Sequence, residues 1–371
     1  MSGEGPLGLI VNPLAGIGGR LGFKGSDGAV ALKALYMGAP LVSPSRARAF
    51  LDALKPGIPI VAPPGLMGYD IVRGTPHAGN TTIIPCVPRR LWPTTALDTK
   101  RCSKAMVDVG VKLLVFVGGD GTARDVADSV DLRIPVLGVP SGVKVYSSVF
   151  SVNPKAAASI VWRFLTRGSP LVEREVLDVD EDEYRLGRLK VKLYGYLLVP
   201  SDEGIVEGGK SAFSEVEAEA LEAIAEYVVE TMEEDTLYIL GPGRTVEAIA
   251  SKLGVRKTPL GVDVVYNGRL VGSDLNEAGL LELLKRYPKA KIIVSPIGGQ
   301  GFILGRGNQQ ISPEVLKAVG PGNVIVVSTK SKLRTFKTLK VDTGDESLDA
   351  AFKGYIRVIT GYREEAVVKV E

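Results

Sequence analysis

Short apolar runs that stop at glycine constrain this chain more than any other feature. Leu7-Gly8-Leu9-Ile10-Val11 runs into Asn12-Pro13-Leu14-Ala15-Gly16-Ile17-Gly18-Gly19. Val115-Phe116-Val117 runs into Gly118-Gly119-Asp120-Gly121-Thr122. Residues 58–62, 112–117 and 135–139 read as strands in the same way, and Pro40-Leu41-Val42 is strand-like. Helical patterns at 29–37, 45–54, 99–109 and 122–130 alternate with them, while 63–94 is rich in Pro, Gly and Thr and reads as loop and short strand. Such alternation predicts an α/β fold with a parallel sheet. Ligands of these sheets gather at the carboxyl ends of the strands, where both glycine loops would lie.

The pattern then changes. A helix over 150–167 leads to 172–199, where apolar and polar residues alternate about a turn at 180–183. That is antiparallel β-structure. An acidic amphipathic helix is expected at 214–230, and α/β alternation resumes from 236, with helices from Thr245, near 274–287 and near 313–319. The tail reads as a strand pair. The expectation is two domains, 1–150 for nucleotide and 151–371 for substrate or oligomerisation. The second would mix antiparallel β with α/β units, its last strands packing back on the first.

Of the 371 residues, 45% are hydrophobic and 23% charged, and the net charge is +3. That balance gives no reason to expect nucleic acid as a partner. No apolar run approaches the ~20 residues of a membrane span, so no membrane partner is expected. The N-terminus lacks a basic segment before its apolar run, so the chain is expected in the cytoplasm. Cys86 and Cys102 are the only cysteines, too few for a disulfide framework or a thiolate zinc site. His77 is the only histidine, which excludes a zinc site needing two, and its turn-like surroundings suggest a surface position. A general base is therefore expected to be a carboxylate.

Three loops compete for phosphate. Gly118–Thr122 sits between strand and helix, where backbone N–H groups cradle anions, yet it carries the carboxylate of Asp120. Gly204–Ser211 formally matches G-x-x-x-x-G-K-[ST], but four residues separate it from its strand and Glu207 would sit in the cradle, so it reads as a decoy. Gly241-Pro242-Gly243-Arg244-Thr245 reads either as an anion site or as a turn with Thr245 capping the next helix. A further stretch, Pro296–Gln310, places Gln300, Arg306, Asn308, Gln309 and Gln310 among five glycines. Close backbone approach and planar polar recognition both suggest a ligand there.

The motifs NPLAGIGG, TTALDTK, VFVGGDGTARDV, GVPSGVKVYSS, LGVDV and PIGGQGFILGRGNQQISP together resemble the ATP-NAD kinase-like proteins related to the acetoin-catabolism protein AcoX. GGDGT alone resembles the signature shared by NAD kinases, diacylglycerol and sphingosine kinases, and phosphofructokinases. The resemblance implies a Rossmann-like N-terminal sheet of the NAD kinase/diacylglycerol kinase type, and a phosphoryl transfer from ATP, with Mg²⁺, to a hydroxyl of NAD. It implies Asp120 as the catalytic base or a metal holder, with Asn12, Gly16, Gly118, Gly119, Gly121, Thr122 and Lys144 around the phosphates. Asp98, Thr99, Gly299, Gln300, Gly301, Arg306, Asn308 and Gln309 are the candidates for the acceptor side. Identical copies are expected to assemble. The Asn-Glu pair expected beyond GGDG is missing, since Asn276-Glu277 falls on a helix far along the chain. Lipid or polyol kinases, a non-catalytic nucleotide-binding regulator and an isomerase-like enzyme built on Gly241–Thr245 are the competing readings.

Overall fold

A computed structural model describes residues 5–23, 28–86, 92–141, 145–179, 191–201 and 215–371 apart from 298–300. These residues form two units, the first running to Ser201 and the second taking the rest together with Gly18–Phe23.

In the first unit the strands are β1 (Leu7–Val11), β2 (Ile60–Ala62), β3 (Thr81–Ile83), β4 (Leu113–Gly118) and β5 (Val136–Pro140). They lie in the order β3-β2-β1-β4-β5, every pair parallel. All of β1, β4 and β5 is buried, as expected of a parallel sheet covered on both faces. The covering helices are α1 (Gly28–Tyr36), α2 (Val42–Ala53), α3 (Tyr69–Val72), α4 (Ala96–Val109), α5 (Asp120–Val130) and α6 (Pro154–Arg167). On α5, Ala123, Val126 and Val130 recur at helical spacing and are fully buried. Asn153 starts α6, its side chain accepting from the Ala156 N–H at 2.8 Å. Phe116 and Phe150 meet edge to face at 5.2 Å, and Gly138 leaves the room, since a Cβ there would stand 2.5 Å from the Phe150 ring. A hairpin of β6 (Leu171–Val179) and β7 (Val191–Pro200) completes this unit. The alternation of 172–199 foretold the hairpin, but the unit carrying it extends past residue 150.

The second unit holds α7 (Glu215–Glu230), β8 (Leu237–Leu240), α8 (Arg244–Lys252), β9 (Asp263–Tyr266), β10 (Arg269–Gly272), α9 (Glu277–Arg286), β11 (Ala290–Val294), β12 (Phe302–Leu304), α10 (Pro313–Val319), β13 (Val324–Val327), α11 (Lys330–Leu333), β14 (Lys340–Val341), α12 (Glu346–Ala351), β15 (Gly354–Gly361) and β16 (Glu364–Val370). Its main sheet runs β10-β9-β8-β11-β13-β15-β16, with β8, β11, β13 and β15 parallel and the two edges antiparallel. Successive residues of β8 serve opposite faces, as the strand period requires. Leu237 and Ile239 pack with Leu280, Val315 and Leu316 of α9 and α10, while Tyr238 and Leu240 pack with Ile224, Val228, Val246 and Ile249 of α7 and α8. The C-terminal pair β15–β16 closes one edge of this same sheet.

Three local expectations change. Leu41-Val42 is no strand; Leu41 is the extended residue before α2. His77 is buried, its Nε2 lying 3.1 Å from the Leu51 carbonyl oxygen. Cys86 and Cys102 are joined as a disulfide. Among the described residues, no helix is long and apolar enough to cross a membrane.

Candidate active site

The first sheet reverses its direction of growth between β1 and β4. The chain moves outward through β2 and β3, then returns to the other side of β1 for β4 and β5. At such a reversal the loops leaving the two central strands part in opposite directions and open a crevice. Asn12 leaves β1 there, and Gly119-Asp120 leaves β4. The Asn12 N–H donates to the Val117 carbonyl at 3.0 Å, its Nδ2 donates to Thr122 Oγ1 at 3.0 Å, and its Oδ1 accepts from the Leu14 N–H at 3.2 Å. One amide thus ties the two loops together.

The glycines have steric reasons. A Cβ on Gly118 would stand 2.4 Å from Thr122 Oγ1, so a bare Gly118 admits the threonine side chain. Gly16 has φ +80°, and a Cβ there would stand 2.5 Å from the Ser141 carbonyl oxygen. Gly119 is the extended residue before α5, and Gly121 lies in its first turn. Lys144 lies outside the described residues.

Asp120 is the first residue of α5 and is buried. Its Oδ2 accepts from the Tyr146 N–H at 2.7 Å, and its Oδ1 from the Ser147 N–H at 3.0 Å. Ser147 Oγ stands 2.6 Å from Oδ1 and 2.8 Å from the Leu177 carbonyl oxygen, with one proton to share between them. Burial pushes the Asp120 carboxyl up to about 7. The bonds from Ser147 and Tyr146 pull the other way, and the charge of Asp178 adds to the rise. Asp178 itself is paired with Arg124 at 2.9 Å. The carboxylate therefore anchors the 146–147 segment and keeps a proton affinity near neutrality. Both are compatible with a base that exchanges one proton per turnover.

Asp98 and Thr99 are buried on α4. Asp98 Oδ2 accepts from the Thr95 N–H at 2.8 Å and from Thr95 Oγ1 at 3.0 Å. This is a capping box, a local task that occupies the carboxylate expected to meet substrate.

In the second unit the reversal falls between β8 and β11. The Gly241–Thr245 loop leaves β8 into α8, with Gly243 at φ +117°. Thr245 Oγ1 lies 3.3 Å from Ser295 Oγ, which in turn lies 3.4 Å from Lys332 Nζ. At the same end, Asp263 pairs with Leu240 across the strands and forms a buried ion pair with Lys257 at 3.4 Å. Asp263 also accepts from the N–H and Oγ1 of Thr258, from Ser273 Oγ and from the Asp274 N–H. Burial pulls the Lys257 ammonium down, against the attraction of Asp263.

Gly299 and Gln300 lie outside the described residues, as does the Gly204–Ser211 loop. Gly301 has φ +72° and leads into β12, which pairs with β14. The three side chains expected to meet a planar ligand, Arg306, Asn308 and Gln309, each make contacts within the chain. Asn308 is fully buried: its Oδ1 accepts from the Gly305 N–H at 3.0 Å and its Nδ2 donates to the Ile303 carbonyl at 2.9 Å. Arg306 is 1% exposed and stacks on the Phe302 ring at 4.4 Å. Gln309 lies against Gly19, where a Cβ would collide with its side chain. Asn308 holds the segment's own turn.

Tyr146 and Ser147 lie in GVPSGVKVYSS and Asp263 in LGVDV, but no local pattern in those motifs marks what they bind. The capping of Asp98 was readable, because Thr95 stands three residues before it.

Among the described residues no group of three or more His, Cys, Asp or Glu is gathered for a metal ion. A magnesium ion suits such a site only when phosphates supply most of its oxygens and one or two carboxylates complete it. Asp120 is the carboxylate present at the loop.

Two family models match the chain: the ATP-NAD kinase N-terminal domain over residues 73–169 and the ATP-NAD kinase C-terminal domain over residues 233–370. They define a phosphotransferase, and the chain belongs to the ATP-NAD kinase-like family. No curated protein and no solved structure matches it.

Proposed function

We propose that the chain transfers the terminal phosphoryl group of ATP to a hydroxyl of NAD. The observation that carries this reading is Asp120, a buried carboxyl held near pH 7 at the reversal of the first sheet. Asp120 takes the proton of the acceptor hydroxyl as that oxygen bonds to phosphorus. The bond between the terminal phosphorus and its bridging oxygen breaks, and ADP leaves. The backbone of Gly118, Gly119 and Gly121 and the hydroxyl of Thr122 approach the phosphates at the start of α5, where the helix favours negative charge. Asn12 and Gly16 line the same crevice from β1, and Lys144 is assigned to phosphoryl charge. If magnesium takes part, Asp120 is the residue at the loop that would hold it in place of acting as base, and the ion would supply positive charge to offset that of the phosphates. NAD as acceptor is supported by the family descriptions alone. The test is ADP release by the purified protein with NAD, NADH, diacylglycerol or polyols in turn. ADP release with NAD and formation of its phosphorylated product support the reading. Release with another acceptor only would remove NAD, and release with none would remove the kinase.

A further inference from the structure

We propose that a groove between α4, the end of α5 and β7 binds a second nucleotide, apart from the glycine loops. The groove is open to solvent, has a volume of about 680 Å³ and contains no residue of Gly118–Thr122 or Asn12–Gly16. That volume falls in the range of small-molecule sites. One wall is Tyr194-Gly195-Tyr196 of β7, the other is the face of α4 bearing Lys100, Arg101 and Lys104, and Arg133 closes the end.

The β7 wall departs from what a hairpin needs. Val176 pairs with Gly195 and Leu177 with Leu193, so Tyr194 is the extra residue of a β-bulge. Bulges re-aim side chains and are frequent beside binding sites. The Tyr194 ring lies under the Arg124 guanidinium at 5.3 Å. Tyr196 is 44% exposed. A Cβ on Gly195 would meet nothing within 4 Å, and its φ is not in the left-handed region. Neither packing nor backbone strain asks for glycine here, whereas close approach of a ligand does. Two tyrosines flanking a bare backbone offer stacking faces to a planar base.

The α4 wall supplies charge. Four cations and two carboxylates, Asp128 and Asp131, line the groove. Lys100 is engaged by Asp128 at 2.6 Å, and Arg133 donates to the carbonyls of Ser129 and Val130. Arg101 and Lys104 are exposed and have no ion pair among the described residues. One turn of helix apart, they point the same way. An aromatic base on the tyrosines with phosphate oxygens on Arg101 and Lys104 satisfies both walls, which fits a nucleoside diphosphate. The two family models stop at 169 and resume at 233, so β7 lies outside both.

The experiment uses the full chain and the photoactivatable probe azido-ADP, with peptide mapping of the label. Label is expected on the peptide bearing Tyr194 and Tyr196, displaced by ADP and far less by adenosine. The double substitution Arg101→Glu, Lys104→Glu alters only exposed positions, so folding should survive. It should weaken labelling at this peptide by about a hundredfold, the size of two lost charged hydrogen bonds. Tyr196→Ala should weaken it without changing the preference for ADP over adenosine. No label on the peptide, label unaffected by the charge reversal, or equal displacement by adenosine would each overturn the proposal. Label confined to the glycine loops would overturn it while leaving the kinase reading in place.

Discussion

Asp120→Asn separates the burial of a charge from the loss of a base. The wild-type carboxyl rises from 3.8 to about 7 on folding. A raised acid favours the folded state while it stays protonated. Its contribution is complete below about pH 3.8, the unfolded value, and is lost as pH climbs through the folded value near 7. At ~1.36 kcal/mol per pH unit, about three units give a loss of roughly 4 kcal/mol across that window. Asparagine has no such titration, but its NH₂ cannot accept from the Tyr146 N–H or from Ser147, a fixed cost of about 1–3 kcal/mol. The variant should therefore be clearly less stable than wild type at pH 4. The gap should shrink by about 4 kcal/mol by pH 7.5 and so invert. Urea unfolding of both proteins, followed by circular dichroism at half-unit pH steps, measures it. Every other titrating group is common to the two proteins and cancels in the difference. Parallel stability profiles from pH 4 to 7.5 would show that burial does not raise this carboxyl, and the argument for a base poised at neutrality would fall with it.

Turnover of Asp120→Asn should drop by roughly 10²–10⁴-fold, as for loss of a general base; a rate within about threefold of wild type would assign Asp120 to the 146–147 anchor alone. Wild-type turnover with saturating acceptor should rise with pH through about 7 as Asp120 loses its proton, and a flat profile from pH 5.5 to 8 would count against its role. Asn308→Ala should cost about 1–3 kcal/mol of stability by urea titration, because the Gly305 N–H loses its acceptor; unchanged stability with a raised KM for NAD alone would restore the amide to a ligand role. Lys257→Met should destabilise by about 3–5 kcal/mol, leaving Asp263 charged and buried; a change below about 1 kcal/mol would mean the local donors alone satisfy Asp263.

β1, β4 and β5 were legible because they are buried apolar runs bounded by Pro- or Gly-containing turns, a local signal, whereas β3 reads Thr-Thr-Ile and is partly exposed. The hairpin of β6 and β7 was legible from alternation alone. Two short strands carried too little pattern: β10 is mostly exposed, and β12 lay hidden in a segment read as a ligand loop. Pro40-Leu41-Val42 shows the opposite error, three residues read as strand although Val42 opens a helix. His77 looked exposed because its neighbours are turn-forming, yet its partner, the Leu51 carbonyl, is 26 residues away and leaves no local trace. The pairing of Cys86 with Cys102 is likewise a property of the folded chain. At the candidate site the GGDG loop announced itself, whereas the donors that hold Asp120 come from 146–147, after the next strand.

The Asn308 clip changes how the glycines before it should be viewed. Gly301, Gly305 and Gly307 all sit at positive φ, and the Gly305 amide is locked onto Asn308 inside a segment already paired with β14. A tract that composition would class as slack is a splint. The Gly305 N–H is held by Asn308 at the end of the β12–β14 pair, so its exposure is expected to need Asn308 to let go. Exchange of that amide with deuterium should then proceed only with larger-scale opening of the second unit, at the slow rates of its central strands rather than those of a surface loop.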